Sequence, residues 1–307
     1  MPDFGAFNLP DPFTIAIPAF GLFILIEIVL AKWVGTAEFE LKDTMASLVM
    51  GLVNKVLTGL AGIVTFGASV WMYEHRLFDL PTDAIWVVVL LFFVEDFTYY
   101  WYHRYGHRCR WAWASHVNHH SSQHYNLSTA LRQPWTLFFS GGWVLWLPLA
   151  LLGFHPIFIA FQRAVSLVYQ FWVHTETIDR LGPLEWIFST PSNHRVHHGS
   201  NIEYVDRNYG GILIIWDRMF GTYQRELEEE PVEYGLIDDI GTFNPIRIAF
   251  HEWVSLGRDV LEASSWRDRL MYMFGPPGWS PDGSKKTVAE LREEHMGEQT
   301  ESTSEAS

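Results

Sequence analysis

The sequence predicts an all-α fold, a multi-pass integral-membrane helical bundle capped on its cytoplasmic side by a histidine-rich region. Three observations predict it. Long apolar runs fill the first 175 residues, the remainder is charged and rich in turns, and the histidines gather in tight clusters at the ends of the runs.

Composition agrees with this division. Of 307 residues, 49% are hydrophobic and 16% aromatic, with 15 Trp and 22 Phe. Aromatic side chains at that density suit a chain with membrane–water interfaces. The net charge of −14, with acid concentrated in the last third, excludes nucleic acid as a partner, because phosphate neutralisation needs clustered Lys and Arg. A single cysteine, Cys109, excludes a disulfide framework and any cysteine-built metal site. It reads as a small buried hydrophobe rather than a thiolate ligand.

A spanning helix needs about 20 mostly apolar residues. Phe13 to Val34 meets this, with Glu27 its only charge before Lys32, and lacks the basic flank and cleavage site of a signal peptide. Val56 to Tyr73, after an amphipathic approach from Asp43 to Lys55, is a second span, and Ala84 to Tyr105 a third. Pro134 to Phe154 and His155 to Val173 read as a transmembrane hairpin broken at Gly153 and Pro156, which makes about five spans. Within it, Arg163 faces either a cavity or the lipid interface. Alternating sides put Lys32, Lys42, Arg104, Arg108, Arg110 and Arg132 together and Arg76 opposite, so the former side is expected to face the cytoplasm. The membrane is then the inner membrane of a bacterium or the endoplasmic reticulum of a eukaryote. The chain divides into membrane helices over 1–95, a catalytic region with the hairpin over 96–280, and a disordered acidic tail over 281–307.

Eight of the 14 histidines form three groups: His103 and His107 in an HxxxH, then His116, His119 and His120 in an HxxHH, then His194, His197 and His198 in another. Residues three and four apart share a helix face, so each group is expected to aim its imidazoles at a common point. Neutral imidazole suits iron, zinc and copper, and this many ligands suffice for two metals. All three groups fall on the same side of the predicted membrane, and His174, ending the fifth span there, is a ninth candidate. His124 belongs near the entrance or makes an ordinary polar contact; His75, His155, His251 and His295 read as loop or surface residues.

Ligating histidines pass their second N–H to a carboxylate or carbonyl. Glu95 and Asp96 sit in an apolar helix, where charge is costly and so usually functional. Asp96 lies two turns before His103 on the same face and is expected to accept from a ligating imidazole. Asp206 and Asp217 are candidates for the same role, and Asn118, inside the second cluster, is a further candidate site residue.

Three segments carry a family resemblance: HVNHHSSQHYNLSTALRQ (116–133), YQFWVHTETIDRLGPLEWIFSTPSNHRVHHG (169–199) and YVDRNYGGILIIWDRMFGTY (204–223). Their histidine clusters, in this order about a helical hairpin, resemble the fatty acid hydroxylase (sterol desaturase) superfamily and its alkylglycerol monooxygenase branch. Gln123 and Asn193 stand where the branch would place Glu and His. The resemblance covers residues 96 to 281 and implies a cytosol-facing dimetal cap, two iron ions on the histidines above, and O2-dependent hydroxylation of a lipid C–H bond. If that carbon adjoins an ether oxygen, the ether is cleaved. It also implies an electron donor, a tetrahydropterin or a donor protein. Two other readings stay open: the same centre hydroxylating or desaturating a sterol, carotenoid or acyl chain, and a non-catalytic metal-binding membrane protein. A zinc hydrolase is disfavoured by the absence of HExxH.

Overall fold

The computed structural model describes residues 9–35 and 37–305. Among them the fold is helical, and the only strand-like pairing is two isolated antiparallel bridges, Phe188 with Leu213 and Gly199 with Tyr234. Among the described residues, three helices are long and apolar enough to cross a membrane: α1 (Pro12–Val34), α2 (Leu41–Glu74) and α3 (Ile85–Arg108). α1 starts from an Asp11 cap with Pro at its first position and stops at Gly35, whose φ of 73° breaks the helix. Apolar side chains cover the outward faces, Leu22, Val29, Leu60 and Ile63 each being more than half exposed. That is the pattern of a surface solvated by lipid tails rather than water.

Two expectations about the spans change here. The second span does not begin at Val56: it and its amphipathic approach are one helix, α2, unbroken for 34 residues. The first arm of the hairpin is not a full helix. Residues 135–140 are turns, a 3-10 turn covers Gly142–Trp146, and α5 is only Leu147–Leu151. Pro134, Pro148 and a Gly141–Gly142 pair withhold the donors and the backbone stiffness that a long helix needs. The arm still travels back to the α2–α3 loop, where Leu77 N donates to Leu151 O at 2.7 Å. Gly153 turns there with φ of 108°, so close to Phe78 that a Cβ would collide with its carbonyl. α6 (Pro156–Trp172) returns alongside α3, but its 17 residues rise only about 26 Å, short of a bilayer's apolar core. Arg163 on α6 lies 4.1 Å from the centre of the Trp146 ring, inside this hairpin.

The polar remainder builds the cap from α4 (Arg110–His120), α7 (Pro191–His198), α8 (Ile215–Met219), α9 (Pro245–Glu262) and α10 (Trp266–Phe274). α4 is clamped on α9 by Arg110, which is buried and pairs with Glu252 at 2.7 Å and Asp259 at 2.6 Å. Where the sequence predicts a disordered tail, α11 (Val288–Glu305) is helical. Thr287 and Glu290 bond reciprocally at its start as a capping box, and Arg292 donates to Ile202 O at 3.1 Å.

Each long helix sends one buried carboxylate into the cap. Glu27 of α1 accepts from Leu127 N at 2.7 Å and from the Thr175 hydroxyl. Asp43 of α2 pairs with buried Arg132 and accepts from Ser122. Asp96 of α3 accepts from Ile212 N at 2.8 Å, Leu213 N at 3.1 Å and Trp216 Nε1 at 2.9 Å. A buried carboxylate is tolerated only when its oxygens are bonded in this way, so the three acids fix the cap to the helices that carry them.

Candidate metal centre

α3 supplies His103 and His107 one turn apart; α4 supplies His116, His119 and His120; His174 follows α6; α7 supplies His194, His197 and His198. These nine side chains meet in two adjoining groups. One comprises His103, His107, His116, His120 and His197, the other His119, His174, His194 and His198, with ligand atoms inside each group all within 4.8 Å of one another. Across the boundary, the His120 and His198 rings are 4.4 Å apart.

The division corrects the expectation that each cluster aims at one point. Neighbouring residues on a helix project about 100° apart, so an HxxHH cannot direct all three rings to one place. In α4 the i,i+4 pair His116 and His120 enters the first group and His119 the second. In α7 the assignment is reversed, with His194 and His198 in the second group and His197 in the first. The two motifs therefore interlock, each lending most of its rings to one group and one ring to the other.

The donors fit metal ions. His103 Nε2 lies 3.0 Å from His116 Nε2, and His174 Nε2 lies 3.1 Å from both His119 Nε2 and His194 Nε2. Nitrogens about 2.1 Å from a shared ion lie at most about 4.2 Å from one another, so the spacing is close to that of a ligand set. His107 Nε2, His197 Nε2, His198 Nε2 and His194 Nδ1 are buried without a hydrogen-bond partner, and a buried polar atom left so calls for an ion or other partner. Burial holds His119 down to about 4 and keeps His116, His120, His194, His197 and His198 well below the ordinary imidazole range. All are therefore neutral at pH 7, the form that ligates.

The opposite ring nitrogens fix the tautomers. His103 Nδ1 meets Tyr209 O at 2.9 Å, His197 Nδ1 meets Arg207 O at 2.9 Å, His174 Nδ1 meets Gln170 O at 2.7 Å, and His119 Nδ1 meets Arg132 O at 3.3 Å. His107 Nδ1 faces a carboxylate, Asp206 Oδ1, at 3.3 Å.

The acids divide accordingly. Asp206 alone of the four polar candidates touches a clustered imidazole. Asp96 bonds the 212–216 segment instead of a histidine, since two turns of helix separate it from His103 by about 10 Å of rise. Asp217 accepts from Tyr209 N at 2.8 Å and Gly210 N at 2.7 Å, holding the loop whose carbonyl receives His103. Gly210 permits this, because a Cβ there would press on Leu213 O and the Asp217 carboxylate. Asn118 is on the far side of α4, where it donates to Ala249 O at 3.4 Å, and Asn193 donates to Phe188 O at 3.1 Å. Glu95 accepts from Trp146 Nε1 at 3.1 Å, within the hairpin rather than at the histidines. Sequence reading missed the roles of Glu27, Asp43 and Arg132; the isolated acid in an apolar run was the available signal for the first.

The fatty acid hydroxylase family model matches residues 88–222. The chain is 38% identical to the alkylglycerol monooxygenase of Homo sapiens over 303 residues, 98% of this chain and 67% of that protein. It is 42% identical to the alkylglycerol monooxygenase of Danio rerio over 269 residues, 87% of this chain and 59% of the relative. The ornithine lipid hydroxylase OlsE of Rhizobium tropici is 33% identical over 178 residues, covering 57% of this chain and 53% of its own. The chain thus spans about two thirds or less of the length of these curated relatives. No solved structure matches it.

Proposed function

Because the chain belongs to the fatty acid hydroxylase family, we propose that it is a membrane-bound di-iron lipid monooxygenase that cleaves ether lipids by hydroxylating the carbon beside the ether oxygen. The observation that carries this reading is the convergence of nine imidazoles in two adjoining groups at the end of three apolar helices. The identity with alkylglycerol monooxygenases supports the choice of substrate. Imidazole suits iron, copper and zinc; zinc has no redox chemistry with which to activate O2, and membership of the fatty acid hydroxylase family favours iron over copper.

The chain's own residues position the rest. His103, His107, His116, His120 and His197 would hold one ion and His119, His174, His194 and His198 the other. Backbone carbonyls and Asp206 keep the second ring nitrogens protonated, so that the first ones offer lone pairs. Burial of every one of these rings but His116, which is partly buried, excludes bulk water from the reacting carbon. The alkyl chain of the substrate lies in the bilayer against the apolar helices. The reaction balances as an ether, O2, two electrons and two protons giving a hemiacetal and water. The hemiacetal then breaks its carbon–oxygen bond, its hydroxyl proton passing to the departing alcohol, and leaves an aldehyde. A tetrahydropterin or a donor protein supplies the electrons. The histidine end faces the cytoplasm on this reading, since it carries Lys32, Lys42, Arg104, Arg108, Arg110 and Arg132 against Arg76 at the other.

The test is to incubate the iron-loaded full chain with an alkylglycerol and tetrahydropterin under 18O2, trapping the aldehyde by reduction. The expected product is a fatty alcohol with one 18O and an unlabelled glycerol. Iron-loaded protein that leaves the ether intact sinks the ether reading; label found in a sterol or acyl chain of added membrane lipid would reassign the substrate.

A further inference from the structure

A second polar cluster lies outside the histidine groups, at the C-terminal end of α3. Arg104 and Arg108 lie one turn apart there, Arg207 comes from the loop after α7, and Arg292 from α11. They gather about Asp206: Arg108 Nη1 lies 3.2 Å from its Oδ2, Arg207 is its neighbour in the chain, and Arg292 donates to the carbonyls of Ile202 and Val205 just before it. Arg292 in turn has Arg207 and Arg108 as neighbours of like charge. Asp217 lies behind, buried and already bonded to two backbone N–H groups and Thr222. Even counting it, four cations meet two acids. This local excess runs against a chain whose net charge is −14.

The cluster also has donors to spare. A guanidinium carries five N–H donors, and the protein takes only some of them: Arg104 donates to the Tyr100 hydroxyl at 3.0 Å, Arg207 to Gly221 O at 3.3 Å, and Arg292 to Ile202 O at 3.1 Å and to Val205 O. Nearest to it on the lipid-facing side are aromatic rings. Arg104 sits 5.3 Å over the Trp101 ring, and Trp101 packs edge-on against Phe220 at 5.1 Å, both rings being over a third exposed. Apolar helix, aromatic girdle and cationic groups follow one another in the order in which a bilayer presents tails, interface and phosphates.

We propose that Arg104, Arg108, Arg207 and Arg292 form a site for the phosphate of an anionic membrane lipid, whose acyl chains run down past Trp101 and Phe220. The planar fork of arginine matches phosphate oxygens two at a time, and the surplus charge and the unused guanidinium N–H donors both favour such a ligand. Binding here needs neither iron nor O2, so the site stands or falls separately from the oxidation chemistry.

The test is native mass spectrometry of the metal-free full chain in mild detergent, with dioleoyl phosphatidylglycerol, dioleoylglycerol or inorganic phosphate as probes. One phosphatidylglycerol is expected to stay bound, with dioleoylglycerol retained far less. Arg207→Gln and Arg292→Gln should each weaken retention about 10-fold, while Arg267→Gln on α10 should not change it. Arg207→Lys, which keeps the charge and loses the fork, should fall between, and serves if the Gln variants unfold before wild type in the same detergent. Inorganic phosphate that displaces the lipid at micromolar concentration would identify a soluble phosphate as the occupant and overturn the lipid assignment. Equal retention by wild type and all Arg207 and Arg292 variants would overturn the site.

Discussion

The two histidine groups are built from the same HxxHH units and differ in number and in what stands behind them. The first has five rings and leans on a carboxylate, Asp206, as well as on the carbonyls of Tyr209 and Arg207. The second has four rings, and its second nitrogens meet only the carbonyls of Gln170 and Arg132. A carboxylate behind an imidazole makes it a more basic ligand, whereas a carbonyl chiefly fixes its direction. The first group is therefore expected to be the tighter site for a metal ion, and the second, with one ring fewer, to leave a position for an exchangeable ligand.

Removing one ring from each group tests this with the largest effect. His194→Ala leaves three imidazoles in the second group and is expected to release about half of the bound metal, whereas His116→Ala leaves four in the first and should retain most of it. Metal content per folded chain, by plasma mass spectrometry, reads the difference; equal losses would break the comparison. A smaller effect is expected from Asp206→Asn, which keeps the shape but removes the charge behind His107. Chelator competition should show one of two metals bound about 10- to 100-fold more weakly and the other unchanged. A uniform shift of both would mean that Asp206 acts on the whole cap. The smallest effect on metal belongs to Asp96→Asn. An amide there cannot accept from Ile212, Leu213 and Trp216 together, so unfolding in detergent should become easier by about 1–3 kcal/mol. Metal per folded molecule should stay at the wild-type value, and metal loss without loss of stability would restore Asp96 to the site.

Much of this was legible in the sequence for a simple reason. Histidines at i, i+3 and i+4 and apolar runs of spanning length are local patterns, and helices preserve local patterns in space. What was not legible depended on partners far along the chain. Whether Asp96 met a histidine or the 212–216 backbone was decided by a loop more than a hundred residues away. The interlocking of the α4 and α7 rings depended on how those two helices face each other, which neither motif contains. The incomplete hairpin arm was signalled by its prolines and glycines, yet its apolar composition alone read as a span. The helical tail escaped because acidic composition conceals its docking residues, Arg292, which reaches Ile202 O and Val205 O, and His295, which pairs with Glu203 at 2.8 Å.

Glu27, Asp43 and Asp96 hold the cap at three points, one on each long helix. Three points define a plane, so the cap has no axis left about which to rock against the helices. The histidines accordingly keep one altitude relative to the apolar belt. A hydrocarbon chain offers an enzyme few landmarks, every methylene resembling the next. A catalyst mounted at constant altitude needs none, because a lipid anchored at the water surface brings the same carbon to the same height each time. For the lipid oxidation proposed above, position along the chain would then be selected as a depth stop selects it, by geometry shared between protein and bilayer. Lengthening or tilting any one of the three supports would shift which carbon is met before it altered how that carbon reacts.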